Sequence, residues 1–305
     1  MIKKRKEIII TSPSRLHLGF YGFDDRYGYK YGSMGLAINA HKTIISVKHS
    51  QNVVSDLPKK YILPLIKYLK LKRAKSNFEI KTLQKSPSHI GLGSGTQLSL
   101  SIGMAVSKLF NLNLEANDIA NIYNRGKRSG TGISIFKQGG FVVDACKKDR
   151  LLPRDMFKSK FPKDWRIILL NDIKLKGTSG KRENKFFSKS SRTNHKQSEL
   201  SHILFRGILP SIVYEDFQGF SKNLTEFQRN TAEFYREKQK GIFLSPEISK
   251  IMEYVKNYDN LGMGQSSWGP MSYIFVESKL HAKELLSIIQ NKFNVYNNVQ
   301  LNIVS

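Results

Sequence analysis

The hydrophobic pattern sorts the chain into short strands and amphipathic helices. Residues 7–11 are β-branched and read as a buried first strand. Arg15 and His17 then alternate with Leu16 and Leu18, so an extended chain presents both polar side chains on one face. Alternation returns at 43–48 and 78–83, which read as strands. Within 58–75, Ile62, Leu65, Ile66 and Leu69 recur at helical spacing with lysines opposite, a surface helix. Residues 97–110 carry Leu98, Ile102, Ala105, Val106 and Leu109 on one stripe, and a further helix over 116–125 opens at Asn113 or Glu115. A strand follows at 141–144.

Near residue 160 the composition shifts. The apolar run 165–170 predicts a core strand opening a second domain, and 171–197 is dense in Lys, Arg, Ser and Gly, a mobile basic loop. Helices are predicted over 199–213 (broken at Pro210), 216–235 and 246–258, then a strand at 273–277, a helix at 280–292 and a last strand at 299–304. This order predicts an α+β protein of two domains, 1–160 and 161–305.

Three glycine- and hydroxyl-rich turns punctuate these elements. The first is Pro87-Ser88-His89-Ile90-Gly91-Leu92-Gly93-Ser94-Gly95-Thr96-Gln97, between a strand and a helix. A helix start carries unpaired N–H donors and the positive end of the dipole, and glycines admit close approach, so this stretch suits a phosphate or pyrophosphate. It matches neither the Walker pattern nor the dinucleotide fingerprint, and a plain strand-to-helix turn is the alternative. The second turn, 126–132, carries Lys127 and Arg128, and the third spans 261–270. Arg15 beside His17 reads as an anion clamp next to a general acid, or as a solvated strand face. The Gly- and Tyr-rich segment 27–35 reads as flat walls for an aromatic ligand, or as an ordinary hairpin.

Charge adds one constraint. Fifty Lys and Arg against 24 Asp and Glu give a formal net charge of +26 over 305 residues. That suits polyanionic substrates, nucleic acid, or simply a lysine-rich composition. The basic residues are not interleaved with a recognisable RNA motif, which argues against nucleic acid. One cysteine, Cys146, leaves neither a disulfide nor a cysteine zinc cluster within the chain and fits a reducing cytoplasm. No apolar run approaches the length of a membrane span.

Taken together, the three turns, the Arg/His strand and the two α+β halves resemble the GHMP superfamily of small-molecule kinases. One branch is the better match, the β-ribofuranosylaminobenzene 5′-phosphate synthases of methanopterin biosynthesis. The resemblance is carried by Pro13-Ser14-Arg15-Leu16-His17, by 91–97, by Arg128-Ser129-Gly130 with Gly139-Gly140-Phe141, and by Gly264-Gln265-Ser266-Ser267-Trp268-Gly269-Pro270. It implies a ribosomal S5 domain 2-like first domain and a ferredoxin-like second. It implies condensation of 5-phosphoribosyl-1-pyrophosphate with 4-aminobenzoate or 4-hydroxybenzoate, with loss of CO₂ and pyrophosphate. Mg²⁺ without an organic cofactor and a homodimer come with it. On this resemblance Arg15, His17, Arg128 and Gln265 are catalytic candidates. Gly91, Gly93, Ser94, Gly95, Thr96, Gln97, Ser129, Ser266, Ser267 and Trp268 are candidates for holding substrate or its phosphates; metal ligands are left unassigned. Kinases of the superfamily often carry Asp where this chain has Gly132, which disfavours the alternative of an ATP-dependent kinase. A basic RNA-binding protein is the other alternative.

Overall fold

The structure, a computed structural model, describes residues 7–23, 27–72, 77–177, 196–239, 241–258, 260–294 and 296–305. The basic N-terminus and most of the basic loop at 171–197 lie outside them. The elements in chain order are β1 (Glu7–Phe20), β2 (Ser33–His49), β3 (Val54–Ser55), a short 3₁₀ turn (Lys59–Tyr61), α1 (Leu63–Leu71), β4 (Phe78–Gln84), α2 (Ser94–Phe110), α3 (Ala116–Ile122), α4 (Thr131–Gln138), β5 (Phe141–Asp144), β6 (Asp155–Ser159) and β7 (Arg166–Asp172). There follow α5 (Lys196–Ile203), a π-turn (Leu204–Ile208), α6 (Leu209–Val213), α7 (Phe217–Gln239), α8 (Pro246–Val255), β8 (Gly262–Gln265), β9 (Met271–Val276), α9 (Lys279–Lys292) and β10 (Val299–Val304).

Six strands form the first sheet, in the order β3-β4-β2-β5-β6, with β1 running antiparallel along β2. β1 is one long strand rather than a short one followed by a polar segment. It stays paired from Glu7 to Phe20 by absorbing irregularities between Ser12 and Ser14 and between His17 and Gly19. Such bulges re-aim side chains, and the second one lies at His17. The second sheet is antiparallel, β10-β7-β9-β8.

The apolar run in β7 is explained by its two covered faces. Ile167 and Leu169 enter a core shared with Leu16, Leu18, Leu36 and Phe141 of the first sheet and with Phe220, Leu224 and Phe227 of α7. Ile168 and Leu170 enter another, against α8 and α9. A third core packs Ile45, Val47, Phe78 and Ile80 against α2 and α3. The regular helix is interrupted just before Pro210, by the π-turn at Leu204–Ile208, and resumes as α6 with Pro210 in its first turn.

Candidate functional site

The first glycine turn leads directly into α2, whose N-cap is Gly93 in the left-handed conformation (φ 68°) with no side-chain capping bond. The first turn of α2 carries no acidic residue that would occupy its N–H groups. The N-terminus of this 17-residue helix therefore faces a cleft of about 270 Å³ lined by residues 91–96.

The first and third turns are interlocked. The Ser266 hydroxyl donates to the Gly91 carbonyl oxygen (2.8 Å) and accepts from the His17 N–H (2.9 Å), so one oxygen ties β1, the first turn and the third. The Met271 N–H donates to Ile90 O (3.2 Å), Arg15 N–H to Leu92 O (3.2 Å) and Gly177 N–H to His89 O (2.7 Å). A Cβ on Gly91 would lie 2.3 Å from Ser266 O, and one on Gly269 2.3 Å from Ile90 O. Glycine at both places is a packing requirement, because any side chain would push the turns apart.

Cations surround the loop. The Arg15 side chain lies over Gly93, where an added Cβ would be 2.9 Å from its Cγ, and Arg125 lies beside Gly95, 3.5 Å by the same measure. Lys60 and Lys85 also line the cleft, and its described lining holds no Asp or Glu. Trp268 forms part of the wall at 5 % exposure. Arg125, Lys60 and Lys85 escape sequence reasoning because they lie in or beside elements read only for their apolar positions.

The middle turn is built differently. Asp144, buried at the end of β5, accepts from Ser33 N–H (2.8 Å), from the Ser33 hydroxyl (2.6 Å) and from Gly130 N–H (2.7 Å). Ser33 Oγ is also 2.7 Å from Ser129 Oγ, which is 2.8 Å from Thr131 Oγ1. Burial pushes the Asp144 carboxyl up to about 6, although the bonds it accepts pull the other way. Gly132 faces the cleft's back wall: a Cβ there would be 3.3 Å from the Thr96 methyl and 3.7 Å from Arg15 Nε.

His17 is 3 % exposed. Its Nδ1 accepts from the Gly19 N–H (3.2 Å), which leaves the proton on Nε2. Burial, and then the positive charges of Arg15 and Arg128, hold its pKa well below the usual histidine value, so the ring is neutral at pH 7.

The sequence candidates thus divide. Arg15, Gly91, Gly93, Ser94, Gly95, Thr96, Ser267 and Trp268 line the cleft. Ser266 is buried behind it as the tie between turns. Gln97 points inward, its amide donating to Gly132 O (2.9 Å), and so links α2 to α4 and does not line the cleft. Ser129 and Arg128 belong to the middle turn, outside the cleft lining. Gln265 and His17 line a smaller space that shares Ser267 with the cleft. The tyrosine segment forms no wall: Tyr27 is 85 % and Tyr29 48 % exposed, while Tyr31 packs on Phe20.

Residues 59–140 match the GHMP kinases N terminal domain family, and residues 208–295 match the GHMP kinases C terminal family. The β-ribofuranosylphenol 5′-phosphate synthase of Archaeoglobus fulgidus is 31 % identical over 289 residues, 88 % of each chain. The enzyme of the same name from Methanocaldococcus jannaschii is 30 % identical over 323 residues, 96 % of each chain. The chain belongs to the β-ribofuranosylphenol 5′-phosphate synthase family. It is therefore an enzyme of the GHMP kinase superfamily, and the two-domain α+β architecture follows. Among solved structures, the mevalonate kinase of Methanococcus jannaschii superposes with a TM-score of 0.70 at 19 % identity, covering 99 % of this chain and 98 % of that one. At that identity the likeness is one of fold. No described helix is long and apolar enough to cross a membrane.

Proposed function

We propose that the protein joins C1 of 5-phosphoribosyl-1-pyrophosphate to the carboxylated ring carbon of an aromatic acid, a step of methanopterin biosynthesis. A π pair of the ring forms the C–C bond as the C1–O bond breaks toward pyrophosphate. The C–CO₂⁻ pair then returns to the ring, CO₂ leaves, and aromaticity is restored with no proton removed from the ring. The acceptor is 4-hydroxybenzoate ahead of 4-aminobenzoate, because loss of its carboxylate leaves the phenol that the relatives' names carry.

The observation that carries this reading is the cleft itself. It has a helix N-terminus at its floor, Arg15, Arg125, Lys60 and Lys85 around it, Trp268 in its wall, and no carboxylate among its described lining. Fixed positive charge at the leaving pyrophosphate is stabilisation of the kind that usually dominates catalysis. Among the described residues no group of three His, Cys, Asp or Glu suits a metal ion. The donors present do not fit a resident Mg²⁺, so Mg²⁺ enters as the counter-ion of the pyrophosphate substrate. The same reading carries a homodimer in the cytoplasm.

An ATP-dependent kinase shares the fold and the cradle. Gly132 counts against it, since a side chain there would reach Thr96 and Arg15 but glycine offers no base for an attacking hydroxyl. Carboxyl-labelled 4-hydroxybenzoate separates the two. The expected result is labelled CO₂ released only when 5-phosphoribosyl-1-pyrophosphate is present; ADP formation from ATP and a small alcohol, without CO₂ release, would sink the proposal.

A further inference from the structure

Beside Ser267, which also lines the cationic cleft, lies a second and much smaller space. His17, Gly19, Gln228, Thr231, Gln265 and Ser267 contribute to its lining, and it measures about 20 Å³. That is room for one oxygen-sized group. Ser267 lines both spaces, so the two are neighbours that meet at one residue.

The niche is polar and incompletely bonded. Gln228, from the middle of α7, is bonded at both atoms of its amide: one N–H donates to Leu18 O (2.5 Å) and the oxygen accepts from Gln265 N–H (3.1 Å). Gln265 Oε1 in turn accepts from Leu244 N–H (2.7 Å). Those bonds clamp α7 onto β1 and β8. Two other groups have no hydrogen-bond partner among the described residues, His17 Nε2 and Thr231 Oγ1, and their residues are 3 % and 4 % exposed. The Nδ1 bond fixes His17 Nε2 as an N–H donor. Thr231 Oγ1 can accept or donate. A Cβ on Gly19 (φ +114°) would meet Phe227 at 2.7 Å and Thr231 Oγ1 at 3.3 Å, so glycine lets α7 bring the hydroxyl this close to His17's strand. Buried polar groups are nearly always bonded, and an open donor and acceptor in one niche call for an occupant carrying both functions.

We propose that this niche reads the para substituent of the aromatic acceptor, His17 Nε2–H donating to its oxygen and Thr231 Oγ1 accepting its O–H. The inference rests on the ribosyl-transfer reading given above. The para oxygen lies across the ring from the carboxylated carbon, so a ring seated against Ser267, the residue both spaces share, would present one end to the niche and the reacting end to the cleft. A phenol satisfies both groups. An aniline nitrogen donates twice and accepts poorly, because its lone pair is delocalised into the ring, and it leaves the His17 N–H buried without an acceptor. A site built to bond a hydroxyl discriminates against analogues that cannot complete the bonds.

The test is the ratio of kcat/KM for 4-hydroxybenzoate to that for 4-aminobenzoate, by CO₂ release with 5-phosphoribosyl-1-pyrophosphate, in the full-length protein and in Thr231→Val and Thr231→Ser. Wild type is expected to favour the hydroxy acid by roughly 10- to 100-fold. In Thr231→Val the ratio falls by about 10-fold, while Thr231→Ser holds it near the wild-type value. Because both acceptors are read on one preparation, partial misfolding cancels. A ratio unchanged in Thr231→Val, as a niche holding only a structural water would give, or a wild-type preference for the amino acid, overturns the assignment and leaves the ribosyl-transfer reading standing. No CO₂ from either acceptor in wild type ends both.

Discussion

The first and middle glycine turns look alike in sequence, yet the structure holds them by opposite means. The first is fixed by backbone approach: Gly91 and Gly269 sit where any Cβ would strike a carbonyl of the other turn, and Ser266 joins them. The middle turn is fixed by a buried carboxylate, with Asp144 gathering Ser33 and Gly130 onto its two oxygens. The consequence is a division of labour. The first turn is held from outside by the Ser266 hydroxyl, which leaves Ser94 and Thr96 at the start of α2 to face a ligand in the cleft they line. In the middle turn the polar groups are consumed by one another.

Substitutions can break this contrast, and the largest effect is expected at Gly91. Gly91→Ala strains a left-handed residue (φ 98°) and collides with Ser266 O. Activity should vanish and unfolding free energy should fall by about 3 kcal/mol, read by urea denaturation. Ser94→Glu should separate the two losses. A carboxylate at the start of α2 competes with pyrophosphate, so turnover falls more than about 100-fold, while the helix gains roughly 0.3–1 kcal/mol from the favourable charge. A matching loss of stability would mean that Ser94 is structural. Smaller again, Arg125→Met should raise KM for 5-phosphoribosyl-1-pyrophosphate by roughly 10- to 100-fold with kcat less affected, the worth of a hydrogen bond to a charged group. Arg128→Met, outside the cleft lining, should raise it less.

The smallest effect concerns the middle turn and appears in the pH dependence of stability. Asp144 titrates near 6 in the folded protein against an ordinary value of 3.8. The folded state therefore binds more protons between those values, and this group's contribution to stability falls as pH rises from about 4 to 6, then levels off. Asp144→Asn removes that slope. Its unfolding free energy should change between pH 4 and pH 7 by about 1–3 kcal/mol less steeply in the downward direction than wild type. Identical slopes would show that the carboxyl is not perturbed.

Local pattern disclosed much of this. The last strand appears at residues 299–304 as its alternation predicts, and α2 runs three residues further toward the glycines than its apolar stripe indicates. What stayed hidden depends on contacts distant in sequence. Asp144 looks like the end of a strand until Ser33, 111 residues away, donates to it. Gln228 and Thr231 fall within an amphipathic helix, and nothing local says that β1 lies against them. The resemblance groups Gln97 with the phosphate loop that it follows in sequence. One further turn of α2 rotates its side chain inward, to Gly132.

Ser266 also constrains motion. Its hydroxyl links β1 of one sheet to the turn joining β8 and β9 of the other, with the Met271-to-Ile90 and Gly177-to-His89 bonds beside it. Swinging the two halves apart would sever all of these at once, a microsecond-to-millisecond event at best. The long side chains of Lys60, Lys85 and Arg125 that line the cleft can rearrange far faster, in picoseconds to nanoseconds. The rhythm of turnover would then be set by the release of a multiply charged anion from fixed charge, and raising the salt concentration should quicken that step.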